Sequence, residues 1–188
     1  MINLEIKNQN GRSMIEMLGV LAIIGVLSVG GIAGYSKVMM KYRINKTIEQ
    51  ITLIAGNVRA FFAPQRNYSG LNNTILKKAK LVPDEMWNED KTELKNVWSE
   101  EFFVYTPDLN DHKDLYIALT DIPYEACVEL VSYDWRVTGA TLIDNSNDLY
   151  LDIPLDINTA TEFCEEGAPD SVQIYLIYTN NVSYYKNF

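Results

Sequence analysis

An uncharged apolar run near the amino terminus constrains this chain more than any other feature of its sequence. It extends from Met17 to Gly34, reads MLGVLAIIGVLSVGGIAG, and has Ser28 as its one polar side chain. At the rise of an α-helix, these 18 residues are long enough to cross the hydrocarbon core of a membrane. Its five glycines weaken a helix in water but let helices approach closely in lipid. The run predicts a membrane helix that can pack against others.

A cleaved secretory signal is the alternative interpretation of this run. Such signals have a shorter apolar stretch that ends in small residues at a cleavage site. Here the run continues into a basic stretch in which apolar residues recur at helical spacing, at Ile44, Ile48, Ile51, Ile54 with Ala55, Val58, and Phe61 with Phe62. Pro64 disfavours helical geometry at Ala63. We therefore predict one retained helix that ends at Phe62, with this apolar stripe packed in a head-domain core rather than exposed to a partner.

Charge and cysteine content argue against two classes of function, nucleic-acid binding and zinc binding. The chain has 16 basic and 25 acidic residues, a formal net charge of −9, which argues against a nucleic-acid site. Two cysteines, Cys127 and Cys164, and one histidine are too few soft ligands for a tetrahedral zinc site. A disulfide, which requires an oxidising compartment, is the preferred interpretation. Two unpaired buried thiols in a cytosolic protein are the alternative.

Recognisable catalytic chemistry is absent from the sequence. His112 lies in the polar stretch DLNDHKD without a nucleophile to activate, so we interpret it as a solvated loop residue. The acidic stretch from Asp144 to Asp148 offers oxygen ligands for calcium, but it lacks the glycine and glutamate of an EF-hand loop. A turn is the preferred interpretation there. We predict that the chain is not an enzyme and has no metal or cofactor site.

Glu16 stands directly before the apolar run, in GRSMIEML. An ionised carboxylate in lipid costs a few kcal/mol unless it is paired, so Glu16 is expected to have a cationic partner. A solvated position at the headgroup boundary is the alternative. The sequence Gly11-Arg12-Ser13-Met14-Ile15-Glu16 resembles the type IV prepilin signature of a glycine, a cleavage point and a glutamate at the fifth mature position.

This resemblance implies that a prepilin peptidase cuts between Gly11 and Arg12 and that the new terminal amine is N-methylated. It also implies that Glu16 pairs with the amino terminus of a neighbouring subunit during assembly. Arg12 departs from the family pattern, in which the first mature residue is usually Phe or another apolar residue. The other departure is the distribution of basic residues. Lys7 is offset by Glu5 in the leader, whereas basic residues follow the span, at Lys37, Lys41, Arg43 and Lys46.

The rest of the chain predicts an α+β fold in which the long N-terminal helix packs on a small, mainly antiparallel sheet of four or five strands. Residues 65–96 are expected to form a connection with short helices. The predicted strands are 102–106 and 115–120 as a hairpin, then 149–155 and 171–179, with 138–148 rich in turns. Cys127 is expected on a helix that Asp121 caps, and Cys164 on a short helix with a capping box from Thr159 to Glu162.

The segments LVPDEMW, LKNVW and LTDIPYEACVEL also resemble type IV pilins, particularly the IVb-like group. Together with the signature, this resemblance implies a leader at 1–11, a transmembrane and filament-core helix at 12–34, its amphipathic continuation at 35–62, and a pilin head at 63–188. The resemblance implies a structural subunit that polymerises with its own copies. Its other partners would be the peptidase, the assembly machinery of the inner membrane, and membrane lipid before assembly.

Two other functions stay open at this point. A minor pilin or a type II secretion pseudopilin would share the fold and the processing. A single-span protein with a binding or enzymatic head would show neither cleavage nor a polymer. Positive-inside counting would place the C-terminus in the cytoplasm, whereas the signature and the cysteine pair favour an outside head. The role of the filament in adhesion, DNA transfer, motility or secretion is not encoded in these motifs.

Overall fold

The computed structural model describes residues 14–108, 110–136, 139–144, 147–151, 153–166 and 173–179. The chain forms two compact units, divided between Lys41 and Tyr42. Helix α1, Met14–Phe62, contributes to both units. We describe the first unit below with the candidate site, and the second unit, the head, here.

The head part of α1 buries one face. Ile44, Ile51, Ile54 and Val58 are at most 1% exposed, at the three- and four-residue spacing of a helix face. Ile48, which the sequence placed on this stripe, is half-buried, and Thr47 takes the buried position. The helix accommodates this hydroxyl because Thr47 Oγ1 donates to the carbonyl of Arg43 at 2.9 Å. The predicted helix end at Phe62 is confirmed.

The connection after α1 contains the predicted short helices. Asn72 caps helix α2, Asn73–Lys78, by accepting a hydrogen bond from the Ile75 backbone at 3.0 Å. A single 3-10 turn follows at Asp84–Met86. Buried Leu76, Leu81 and Met86 attach this region to the core.

Six strands form one antiparallel sheet within the described residues. They are β1 Leu94–Lys95, β2 Glu101–Tyr105, β3 Leu115–Leu119, β4 Gly139–Asp144, β5 Asn147–Leu151 and β6 Ile174–Tyr178. Their order across the sheet is β1-β2-β3-β6-β4-β5. All five residues of β3 are buried, because this strand lies between β2 and β6 near the centre of the sheet.

The predicted β2–β3 hairpin is confirmed, with Val104 opposite Ile117. The predicted turn-rich stretch at 138–148 is wrong, because most of it forms β4 and the start of β5. Turn-forming residues are concentrated at its end, whereas Thr141, Leu142 and Ile143 have the β-branched and apolar side chains that suit a strand. The sheet therefore has six strands rather than four or five.

Two helices complete the head: α3, Tyr124–Val131, and α4, Ile157–Glu166. Both predicted caps are wrong. Asp121 has a left-handed backbone, with φ of 51°, and α3 begins after Pro123 without a side-chain cap. Asp156 caps α4 by accepting from the backbone of Asn158 at 3.1 Å and of Thr159 at 3.2 Å. The helix therefore starts before the predicted Thr159.

Candidate functional site

The first part of α1 is an apolar surface without cover from its own unit. The side chains described from Met14 to Val38 are exposed, including Met14 at 87% and Val26 at 76%. Water does not favour a continuous apolar surface of this kind, which marks a membrane or protein contact. The helix is long and apolar enough to cross a membrane. We call Met14–Val38 the apolar segment.

The two hydroxyls of the apolar segment bond within the helix. Ser28 Oγ donates to the carbonyl of Ile24 at 2.7 Å, and Ser36 Oγ donates to the carbonyl of Ile32 at 3.1 Å. A hydroxyl that bonds its own helix can enter lipid or a packed interface without losing its partner. These serines therefore do not oppose removal of the segment from water.

Five glycines leave positions along the apolar segment where no side chain covers the helix backbone. A Cβ added at Gly19, Gly25, Gly30, Gly31 or Gly34 would meet no atom within 4 Å, apart from the helix's own nearby backbone. Gly30 and Gly34 are four residues apart and so lie on one face. Small residues at this spacing allow helix backbones to approach closely in lipid. The unit itself places nothing against them.

Glu16 lies in the first turn of α1 and is exposed. Its neighbours Met14, Ile15, Met17 and Leu18 are also exposed, between 56% and 87%. Placed in the first turn, the carboxylate interacts favourably with the positive end of the helix dipole. The predicted cleavage residues Gly11 and Arg12 lie outside the described residues. The structure therefore locates the carboxylate among apolar side chains at the start of the helix.

In the head, Cys127 of α3 and Cys164 of α4 form a disulfide with an S–S distance of 2.00 Å and a Cα–Cα distance of 6.0 Å. Both cysteines are buried, at 0% and 2% exposure. Their helices pack against each other. The bond therefore fixes α4, which precedes the last strand β6, to α3.

Glu85 fixes the 3-10 turn to α1, a contact that the sequence analysis missed. Its Oε1 atom lies 2.9 Å from Lys46 Nζ and accepts from Gln50 Nε2 at 3.0 Å. The hydrogen bond to Lys46 lowers the pKa of Glu85, and the same contact raises the pKa of Lys46. Residues four apart on a helix share a face, but nothing in the sequence indicated that Glu85 would meet them.

The described residues contain no group of three or more His, Cys, Asp or Glu side chains placed to hold a metal ion. His112 belongs to a short 3-10 segment, Asn110–His112. Its Nε2 atom lies 3.6 Å from a carboxylate oxygen of exposed Asp108. Both cysteines are consumed by the disulfide. The features of the described residues that bear on function are therefore the exposed apolar surface of α1 and a head that a disulfide cross-links.

Residues 41–179 match the family described as PilS N terminal, which is well over half of the chain. The chain belongs to this family of type IV pilins. The match covers the head from Tyr42 to Thr179, whereas residues 14–40 of α1 precede it. The type IV pilin resemblance drawn from the sequence is confirmed.

Two curated relatives of this pilin are each described as the major structural subunit of bundle-forming pilus. They come from Escherichia coli O127:H6 (strain E2348/69 / EPEC) and Escherichia coli O111:H-. Each is 25% identical over 126 residues, which is 67% of this chain and 65% of the relative. The alignment thus spans slightly less than two thirds of the length of these relatives.

The fold resembles a solved pilin structure. The crystal structure of type IV b pilin from Salmonella typhi superposes with a TM-score of 0.51 and 14% sequence identity. The match covers 72% of this chain and 99% of that structure. At this identity the likeness concerns the fold, and it confirms the predicted α+β pilin architecture.

Proposed function

We propose that this chain is a structural subunit of a type IV pilus and polymerises through its N-terminal helix. The observation that carries the proposal is the apolar segment, which is exposed throughout its described side chains and continues into a folded head. Burial of this segment against copies of itself would remove a large apolar area from water or lipid. The family membership and the names of the curated relatives support the same function.

Processing is the first step of the proposal. A prepilin peptidase hydrolyses the bond between Gly11 and Arg12, releases Met1 to Gly11, and leaves Arg12 as a terminal amine that is then methylated. The motif GRSMIE and the position of Glu16 in the first turn of α1 support this step. The charged Arg12 at the first mature position is the least usual element of the motif.

Assembly then pairs Glu16 with the terminal amine of a neighbouring subunit. A carboxylate buried among apolar helices without a cation would cost several kcal/mol, so packing arrangements that leave Glu16 unpaired are disfavoured. Charge pairing would therefore set the register of the helices, while apolar burial would supply cohesion. The apolar neighbours of Glu16 support this division of roles.

The proposed location is the inner membrane for the precursor and the extracellular filament for the mature subunit. The disulfide Cys127–Cys164 supports a head outside the cytoplasm, because such bonds persist in oxidising compartments. By positive-inside counting, the basic residues after the span favour a head in the cytoplasm instead. Lys46, one of these, is bound to Glu85 in the head. A cysteine introduced at exposed Glu89 of the head would decide between the two placements. A membrane-impermeant thiol reagent added outside should label it if the head lies outside the cytoplasm, and should fail to label it if the head is cytoplasmic.

The experiment that tests the proposal compares the chain produced with and without a prepilin peptidase, by intact mass and N-terminal sequencing. We expect loss of Met1 to Gly11 that depends on the peptidase, and an added methyl group on Arg12 when the methylating activity is present. A Gly11→Val variant should stay uncut. A chain that keeps its leader in the presence of active peptidase would contradict the proposal.

Abundance in the filament tests the role of the subunit. The curated relatives are named as major subunits, so we expect this chain to be the main protein in sheared filaments. A trace amount beside another pilin would instead indicate a minor pilin or a pseudopilin.

A further inference from the structure

A cavity of about 400 Å³ opens in the head where α1 ends. This volume lies in the range of sites that bind small molecules. Its walls come from distant parts of the chain: the last turn of α1, the turn after it, the β2–β3 connection, the segment before β4, and β6. The proposed polymerisation through the apolar segment makes no use of this cavity.

The charge of the cavity is opposite to the charge of the chain. Four basic side chains line it, Arg59, Arg66, Lys113 and Arg136, and none of the described lining residues is acidic. The whole chain has more acidic than basic residues, 25 against 16. A surface drawn from this composition at random would contain more carboxylates than cations. The cavity is therefore a local concentration of positive charge.

Nearby negative groups reduce this charge but do not cancel it. Lys113 Nζ lies 3.1 Å from a carboxylate oxygen of exposed Asp111, and the buried Asp114 acts electrostatically on Tyr68 at the cavity wall. The carbonyl end of α1 adds about half an elementary negative charge. A third carboxylate, that of Asp134, accepts from the backbone of Arg136 at 3.0 Å. Four cations against three carboxylates and this partial charge still leave the site positive.

Two tyrosines supply neutral donors beside the cations. The guanidinium of Arg59 lies 5.7 Å from the ring centroid of Tyr178, a cation–π contact that positions it. Burial raises the pKa of Tyr178 to about 12 and also raises the pKa of Tyr68. Both phenols therefore keep their protons at neutral pH. Each retains an O–H group that can donate to an acceptor.

We propose that this cavity binds a compact ligand through an oxyanion, that is, a carboxylate, sulfate or phosphate group. Guanidinium groups donate paired hydrogen bonds that match the geometry of these anions. Aromatic walls next to the cations suit the organic part of a small ligand, because the volume exceeds what one oxyanion fills. An inorganic ion and the acidic group of a sugar acid share the chemistry that these residues recognise.

The test titrates the full-length chain, in a non-ionic detergent, with inorganic phosphate, sulfate and glucuronate by isothermal titration calorimetry. Glucose is the uncharged control for glucuronate. We expect at least one oxyanion to bind, its affinity to fall as salt is raised, and glucose not to bind. Competition of phosphate with glucuronate would indicate that the oxyanion alone is recognised, and binding of glucuronate alone would indicate that the sugar ring also contributes.

A matched pair of double variants locates the binding. Arg66 and Arg136 are exposed and have left-handed backbones, with φ of 60° and 52°, and the same holds for Lys80 and Lys91 outside the cavity, with φ of 51° and 53°. Arg66→Gln/Arg136→Gln should weaken binding at least about tenfold. Lys80→Gln/Lys91→Gln removes the same charge outside the cavity and should change the affinity for the oxyanion by less than about twofold.

Three results would overturn the proposal. The first is no heat of binding for any oxyanion up to tens of millimolar. The second is equal binding of glucose and glucuronate, since charge would then not determine recognition. The third is an equal loss of affinity in both double variants, which would indicate a general charge effect. Because the first two comparisons use the unaltered chain, they hold even if a variant misfolds.

Discussion

Single charged residues act differently in the two units of this pilin. Glu85 in the head has two fixed partners, Lys46 at 2.9 Å and Gln50 at 3.0 Å. Glu16 lies in the first turn of α1 among exposed apolar side chains. The contacts of the head carboxylate hold parts of the head together, whereas the helix carboxylate is the one that the proposed assembly pairs with a neighbouring subunit. Substitution of each should therefore affect a different property.

Glu85→Gln should lower the thermal midpoint at neutral pH by a few degrees at most, because the group is half-exposed and solvent screens the pair. The pKa of Glu85 is lowered in the folded state, so its contribution is present above the ordinary value of 4.5 and is lost as the pH falls through the lowered pKa. Thermal melts of both proteins should therefore converge on acidification. Exposed Glu89→Gln is the control, and a difference that persists at the lowest pH would contradict this account.

Glu16→Gln and Glu16→Ala should each reduce the yield of sheared filaments at least about tenfold, because the terminal amine of a neighbour would lose its counter-charge in an apolar interface. Glu49→Gln is a matched control, since Glu49 also lies on α1, is 70% exposed, and makes a long surface contact with Lys46 at 3.9 Å, which solvent screens. All three variants should keep the wild-type thermal midpoint. Wild-type filament yield from Glu16→Gln would show that the charge of Glu16 does not determine register.

At the scale of elements, α1 presents a buried face within the head and an exposed face opposite it. Adjacent residues show the contrast: Ile54 is 0% exposed and Leu53 is 44% exposed. Ile54→Ala should lower the free energy of unfolding by about 2–5 kcal/mol through lost transfer energy and a cavity. Leu53→Ala should change it by less than about 0.5 kcal/mol. Urea denaturation in a non-ionic detergent measures both, and equal losses would contradict the described packing of the helix.

Local patterns predicted the elements that depend on local causes. The end of α1 follows from Pro64, and the β2–β3 hairpin follows from two β-rich segments around a polar turn. Strand β4 was missed because its few apolar residues stand among turn formers, and pairing with β6 stabilises it as a strand. The predicted helix starts were also wrong, since Asp156 rather than Thr159 caps α4. These outcomes depend on tertiary contacts that local spacing does not contain.

At the scale of the whole molecule, the two candidate sites differ in how far the sequence predicts them. The apolar segment and Glu16 form a continuous stretch, so a motif and a hydropathy pattern are sufficient to find them. Arg59, Arg66, Lys113 and Arg136 are scattered along the chain. Lys113 and Arg136 precede β3 and β4, which both pair antiparallel with β6 and therefore start at the same edge of the sheet. No local spacing among these four residues differs from that of solvated surface charges. Their convergence is a property of the fold.

The disulfide links parts of the head that are 37 residues apart, across the β4–β5 hairpin. In the chain-entropy model, closing a loop of this length stabilises the folded state by about 4 kcal/mol, because the unfolded chain loses conformational freedom. Cys127→Ala/Cys164→Ala should therefore unfold at a lower urea concentration than the oxidised wild type.

Treatment with a phosphine reductant supplies the matched control for this prediction. Reduced wild type should unfold near the midpoint of the double variant, and the variant should not respond to the reductant, because its cysteines have been removed. A wild-type midpoint that is the same with and without reductant, while free-thiol labelling confirms reduction, would show that the bond does not stabilise the head. The stability of the head would then depend on the packing of α3 against α4 and on the sheet.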